Sequence, residues 1–166
     1  SGHGVANQKD KSIGILPFDV DPNYSVGLPL KKLYKDLNAM GARSVTVYLD
    51  ACFTGQTRDA KMLIADARPI IIMPVKKDIP DNINVLSATT GSQTSGALKE
   101  KEHGLFTYYV LRGLSGDADV NKDKVVKLRE LSDYVSKNVK EQAALNGREQ
   151  FPQLKSYQDK VIVKYD

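Results

Sequence analysis

Ser44-Val45-Thr46-Val47-Tyr48-Leu49-Asp50-Ala51-Cys52-Phe53-Thr54-Gly55 is the stretch whose reading decides the fold. Val45, Val47 and Leu49 alternate with Thr46 and Tyr48, and β-branched residues dominate, so the first half reads as a strand. The alternation stops at Asp50, and Gly55 is the first residue beyond it that turns without steric cost. Cys52, the single cysteine in 166 residues, therefore stands just past a strand end. Open α/β sheets present side chains to a crevice at that place. A core cysteine more often lies inside the apolar run, so this position favours chemistry; a silent core thiol is the alternative, since cysteine is among the most buried residue types.

A cysteine nucleophile needs an imidazole that takes its proton or favours the thiolate. The chain has two histidines, His3 and His103. His3 lies 49 residues before Cys52 within Ser1-Gly2-His3-Gly4, where flanking glycines let the backbone approach a substrate closely. His103 is the alternative, since a Cys-before-His order also occurs among cysteine peptidases. Its place just before an apolar helical run suits a helix N-terminus, where the dipole keeps an imidazole neutral. His3 is the preferred base.

Ser1-Gly2-His3-Gly4 followed by Leu49-Asp50-Ala51-Cys52-Phe53-Thr54-Gly55 resembles the His and Cys motifs of caspase-like (caspase and metacaspase) cysteine peptidases. Animal caspases carry Gln-Ala-Cys-x-Gly with the histidine about 50 residues upstream. Asp50 stands where they have Gln, the pattern of bacterial caspase homologues and metacaspases. His103-Gly104-Leu105-Phe106-Thr107-Tyr108-Tyr109 is similar to the helix start after the substrate loop in bacterial members, and Gln150-Phe151-Pro152 to the family's Gln-x-Pro segment. The resemblance implies an α/β, caspase-like three-layer fold with a mostly parallel, six-stranded sheet flanked by helices. It also implies that the first two strands and the body of the third precede the Gly-His-Gly. The chain is then expected to be the larger, C-terminal part of one such domain, with an exposed sheet edge.

Composition agrees with one globular domain, since 41% of residues are hydrophobic and 27% charged. The net charge of +4 has no cluster beyond pairs such as Lys31-Lys32 and Lys76-Lys77, so a nucleic-acid partner is not expected. No apolar run nears the roughly 18 residues of a membrane span. One cysteine excludes internal disulfides and fits a reducing, cytoplasmic compartment.

Ile13–Pro17 reads as a short ribbon arm. A first helix is expected from Pro29 to Met40 with Gly41 as its stop. Leu30, Leu33, Leu37 and Met40 would face the sheet, making the helix the crossover of a right-handed βαβ unit. A short helix is expected around Asp59–Asp66, and the proline-bracketed run Pro69–Val75 makes a poor central strand. Some members of the resembled family are cleaved in this interval, which makes Lys61, Arg68, Lys76 and Lys77 candidate cleavage points. Ile83–Ala88 reads as the next buried parallel strand, and Thr89–Gly96 as a substrate-side loop. Further helices are expected at Leu105–Leu114 and Leu128–Ala144, then a last strand at Val161–Val163.

Between those two helices, Asp119, Asn121, Asp123 and Glu130 fall at positions 1, 3, 5 and 12 of a calcium loop, which makes calcium a possible ligand. Lys124 occupies position 6, where that motif wants glycine. The alternative is an Asp-rich turn leading into the last helix.

Cys52 would attack a peptide carbonyl while His3 protonates the leaving amine and later activates water. The strand-end turn offers the Cys52 N–H to the oxyanion, and the resemblance implies Gly4 N–H as the second donor. Asp50 points to the same side of the strand as Cys52, so a substrate Arg or Lys would supply its cationic partner. A structural cap at the strand end is the alternative for Asp50. The expected function is a cysteine endopeptidase cutting after basic residues, needing no cofactor. Against it stand a catalytically inactive, partner-binding scaffold of the same fold and a calcium-binding helix–loop–helix regulator. Monomer and homodimer both remain open.

Overall fold

The strand predicted from Val45 to Leu49 forms (β4) and pairs in parallel with Ile83–Ser87 (β5), from Val45 opposite Ile83 to Leu49 opposite Ser87. The computed structural model describes residues 2–6, 12–20, 27–51, 53, 78–89, 97–98 and 103–166. The expected helix at 59–66, the run 69–75, the four candidate cleavage points and all of the loop 89–96 except Thr89 lie outside these residues.

The ribbon arm expected at 13–17 forms as Ile13–Leu16 (β2), paired antiparallel with His3–Ala6 (β1), although the sequence reads as polar loop from residue 5, and joined on its other edge by Leu28–Pro29 (β3). Leu30–Ala39 (α1) follows at once, with Pro29 as its N-cap and Gly41 at φ 69° just past its end. Here the βαβ expectation is corrected. The strand before α1 hydrogen-bonds β2 in a separate antiparallel sheet, because the ribbon pins that part of the chain beside His3. Met40 is also corrected: it lies beyond the last helical turn and is exposed, whereas Tyr34, on the stripe with Leu30, is buried.

Strand alternation sends the two faces of β4 to different layers. Leu49, Ala51 and Phe53 join Leu30 and Tyr34 of α1 and Ile83 and Val85 of β5 in one apolar cluster. Leu86 and Ala88 belong to the other, with Tyr48 against it. That second cluster is built on Leu105–Arg112 (α2) and Leu128–Leu145 (α3). The chain is thus α/β, with helices on both faces of the sheet. In α3 the buried residues Leu128, Leu131, Val135, Val139 and Ala143 recur every three to four positions. Each of its fully buried aliphatic side chains contributes roughly 1.5–3 kcal/mol.

Three further differences concern the C-terminal half. Helix α2 ends at Arg112 and passes into a wide turn, Gly113–Asp117, because Gly116 sits at φ 120°. A two-residue ribbon pairs Ala97–Leu98 (β6) with His103–Gly104 (β7) just before α2. The strand expected at 161–163 forms as Val161–Lys164 (β10), but it pairs with Val125–Lys127 (β8). The far edge of β5 is instead taken by Gln153–Lys155 (β9), antiparallel, so the described sheet runs β4-β5-β9 and is mixed. Among the described residues, no helix is long and apolar enough to cross a membrane.

Candidate active site

The carboxyl ends of β4 and β5 meet the start of β1 through a small set of hydrogen bonds. Gly2 N–H donates to the Asp50 carbonyl at 3.0 Å. Ala88 N–H donates to the Leu49 carbonyl at 2.8 Å, continuing the parallel ladder past its last pair. Gln150, 1% exposed, donates its Nε2 to the Ala88 carbonyl at 3.1 Å. The result is a hydrogen-bonded rim at which β1 begins and β4 and β5 end.

His3 follows Gly2 directly and is exposed at this rim. Cys52 lies two positions past Asp50 and outside the described residues, as does its N–H, while its neighbours Ala51 and Phe53 are buried against α1. The Gly2–Asp50 bond therefore joins the segments that carry the two expected catalytic residues. Gly4 is buried and stands opposite Ile15 in the ribbon. Successive N–H groups of a strand leave on opposite edges. Gly2 N–H points at Asp50, so Gly4 N–H leaves on that same edge, away from β2. The Ile15 carbonyl agrees with this, since it lies on the β3 side, 2.4 Å from where a Cβ on Gly27 would sit.

Asp50 is only 4% exposed, and its Oδ2 accepts a 2.6 Å hydrogen bond from Thr107 Oγ1. Thr107 occupies the first turn of α2, so this contact ties the strand end to the helix layer on the face opposite α1. Beneath the rim, burial pushes the phenol of Tyr48 upward and that of Tyr34 up to about 12, so both stay neutral at ordinary pH. His103 has its backbone in β7 opposite Leu98, at the threshold of α2; its side chain lies outside the description.

Two residues of this rim carried no role in the sequence reading. Thr107 and Asp50 are 57 positions apart, and no spacing rule connects a helix hydroxyl with a distant strand end. Gln150 stood out only within the Gln-x-Pro segment, without its bond to β5.

The Asp119–Glu130 segment closes on itself. Asp119 accepts the N–H groups of Asp123 and Lys124, Asn121 Oδ1 accepts that of Asp123, and Asp123 Oδ1 that of Val125. Glu130 Oε2 accepts Lys127 N–H at 2.8 Å, capping α3. Lys124 takes φ 63°, the left-handed conformation the calcium motif reserves for glycine. Among the described residues, no three His, Cys, Asp or Glu side chains converge so as to hold a metal ion. These internal hydrogen bonds make the segment an Asp-rich lead-in to α3.

No protein-family model and no curated protein matches this chain.

Proposed function

We propose that the chain is a caspase-like cysteine endopeptidase that cleaves after Arg or Lys. The observation carrying this reading is the Gly2–Asp50 hydrogen bond, which draws the His3 segment onto the strand end that leads to Cys52. In the proposed reaction His3 takes the Cys52 thiol proton and the sulfur attacks the scissile carbonyl carbon. The oxyanion is held by the N–H groups of Gly4 and Cys52. His3 then returns the proton to the leaving amine, leaving a thioester on Cys52. Water deprotonated by His3 attacks the thioester, releasing the carboxylic acid and restoring the thiol. Asp50 supplies the negative charge that a basic side chain before the cut requires.

The test is hydrolysis of Arg-, Lys- and Asp-terminated peptide substrates by the unaltered chain and by Cys52→Ala, His3→Ala and Asp50→Ala. Cleavage after Arg and Lys is expected, falling more than about a thousandfold in Cys52→Ala and His3→Ala. Cleavage after Asp alone would remove the acidic pocket and spare the dyad. Silence toward all substrates would replace the enzyme with a partner-binding scaffold. The chemistry needs no cofactor; a rate that rises with added calcium would give the Asp119–Glu130 segment a regulatory role.

A further inference from the structure

β10 pairs with β8, and among the described residues no strand lies along its other side. Leu128 N–H donates to the Lys160 carbonyl at 2.8 Å and Tyr165 N–H to the Lys124 carbonyl at 2.9 Å, so these groups face β8. Lys164 stands one residue before Tyr165, and its N–H and C=O therefore leave on the open edge. Val126 and Val163 turn inward against the core built on α2 and α3. That puts Val125, Lys127 and Lys164 on the outer face of the ribbon, beside Val161, which is 47% exposed.

Charge around this ribbon is divided unequally. The carboxylates are held at the backbone: Asp119 accepts the N–H of Lys124, Asp123 that of Val125, Glu130 that of Lys127 and Asp159 that of Arg129. Among the described residues, Lys124, Lys127, Lys160 and Lys164 make no ion pair; the pairs that form are Lys31–Asp78, Lys32–Asp36 and Arg112–Asp117. An ammonium on a flexible stem can follow a charge laid along the edge, whereas a carboxylate bonded to the backbone cannot. A second copy is a poor occupant. Antiparallel pairing of two β10 edges about Ile162 sets Lys160 of one copy opposite Lys164 of the other, and like charges directly opposite repel. A strand of the opposite sign meets the reverse situation. Lys160 and Lys164 bracket Val161-Ile162-Val163, so the complement is a short apolar run bracketed by Asp or Glu.

We propose that the open edge of β10 is a docking site for an extended segment of a partner protein in which acidic residues bracket a short apolar run. The peptide groups of Lys164 supply backbone hydrogen bonds, and Lys160 and Lys164 meet the flanking carboxylates. The site is independent of the peptidase reading.

The test titrates the full chain into a fluorescent peptide, Ser-Glu-Val-Thr-Val-Glu-Ser, followed by anisotropy. This probe has no Arg or Lys, so it is no substrate under the peptidase reading. Beside it run Ser-Gln-Val-Thr-Val-Gln-Ser, which lacks the charges, and Ser-Glu-Val-Pro-Val-Glu-Ser, which lacks a backbone donor. The acidic probe should bind, with Kd rising at least about tenfold in the double variant Lys160→Glu, Lys164→Glu and at least about threefold between about 50 and about 300 mM salt. Both control peptides should bind at least about tenfold more weakly, and amide NMR shifts should fall on residues 124–128 and 160–165. Where charge reversal unfolds the chain, Lys160→Gln with Lys164→Gln carries the comparison. Absence of binding, unchanged affinity in the lysine variants or shifts centred elsewhere overturns the proposal. Equal binding of the proline peptide, or equal competition by phosphatidylserine vesicles, reduces the edge to a general attraction for anions and overturns strand addition. A dimer in sedimentation that the lysine variants alter replaces the acidic partner with a second copy.

Discussion

Tyr34→Phe tests the packing that backs the candidate site. The Tyr34 ring is 1% exposed in the cluster that also holds Leu49, Ala51 and Phe53, and its hydroxyl has no hydrogen-bond partner among the described residues. A buried hydroxyl without a partner costs about 1–3 kcal/mol, and phenylalanine keeps the ring contacts while removing that penalty. The variant should therefore gain about 1 kcal/mol, or about 2–4 °C in Tm for a chain of this size. The same burial raises the phenol from near 10 to about 12 in the folded state. A folded pKa above the unfolded one means the folded state holds its proton longer. The associated stability is fully present below pH 10 and is lost as pH climbs through 12. Over two pH units that amounts to roughly 2–3 kcal/mol. Urea unfolding followed by circular dichroism, from neutral pH to about pH 12, should show a shallower alkaline limb in Tyr34→Phe. Tyr134, also pushed up to about 12, titrates in both proteins and cancels in the comparison. A variant less stable by about 1 kcal/mol at neutral pH would mean that the hydroxyl has a partner. Superimposable alkaline limbs would refute the burial argument.

Three smaller changes probe the supports of the site. Gly27→Ala places a Cβ 2.4 Å from the Ile15 carbonyl oxygen at φ 65°, and should cost at least about 2 kcal/mol in urea unfolding. Glu130→Ala removes the cap on Lys127 N–H and should lower stability by about 1 kcal/mol, with Glu130→Gln retaining most of it. Lys124→Gly relieves a left-handed lysine and should raise Tm, by the equivalent of about 0.5–1 kcal/mol.

What the sequence made legible was local. The alternation of Val45, Val47 and Leu49 marked β4, and the buried run 83–87 marked its parallel partner. The proline and glycine at either end of residues 30–40 bounded α1. Side-chain chemistry along one segment dictates these elements, so periodicity suffices. Tertiary pairing escaped it. Val161–Lys164 has the β-branched run of a sheet strand, yet the sheet is completed by Gln153-Leu154-Lys155, which earns its place by docking beside β5 and not by composition. Asp50 was legible as a carboxylate two residues before the single cysteine. That a threonine of α2 holds it was not, because the two are joined only in space.

The bonds from Gln150 to Ala88 and from Ser87 to Gln153 span 62 and 66 positions, and they bear on how the molecule is made. Synthesis delivers β4 and β5 before α3, whereas the segment that locks the end of β5 arrives only after it. Contacts of such separation form late and slowly. A nascent chain would hold β4 and β5 with an unfinished rim until the segment 150–155 has followed α3. That order of assembly makes the rim at the ends of β4 and β5 one of the later parts of the fold to close.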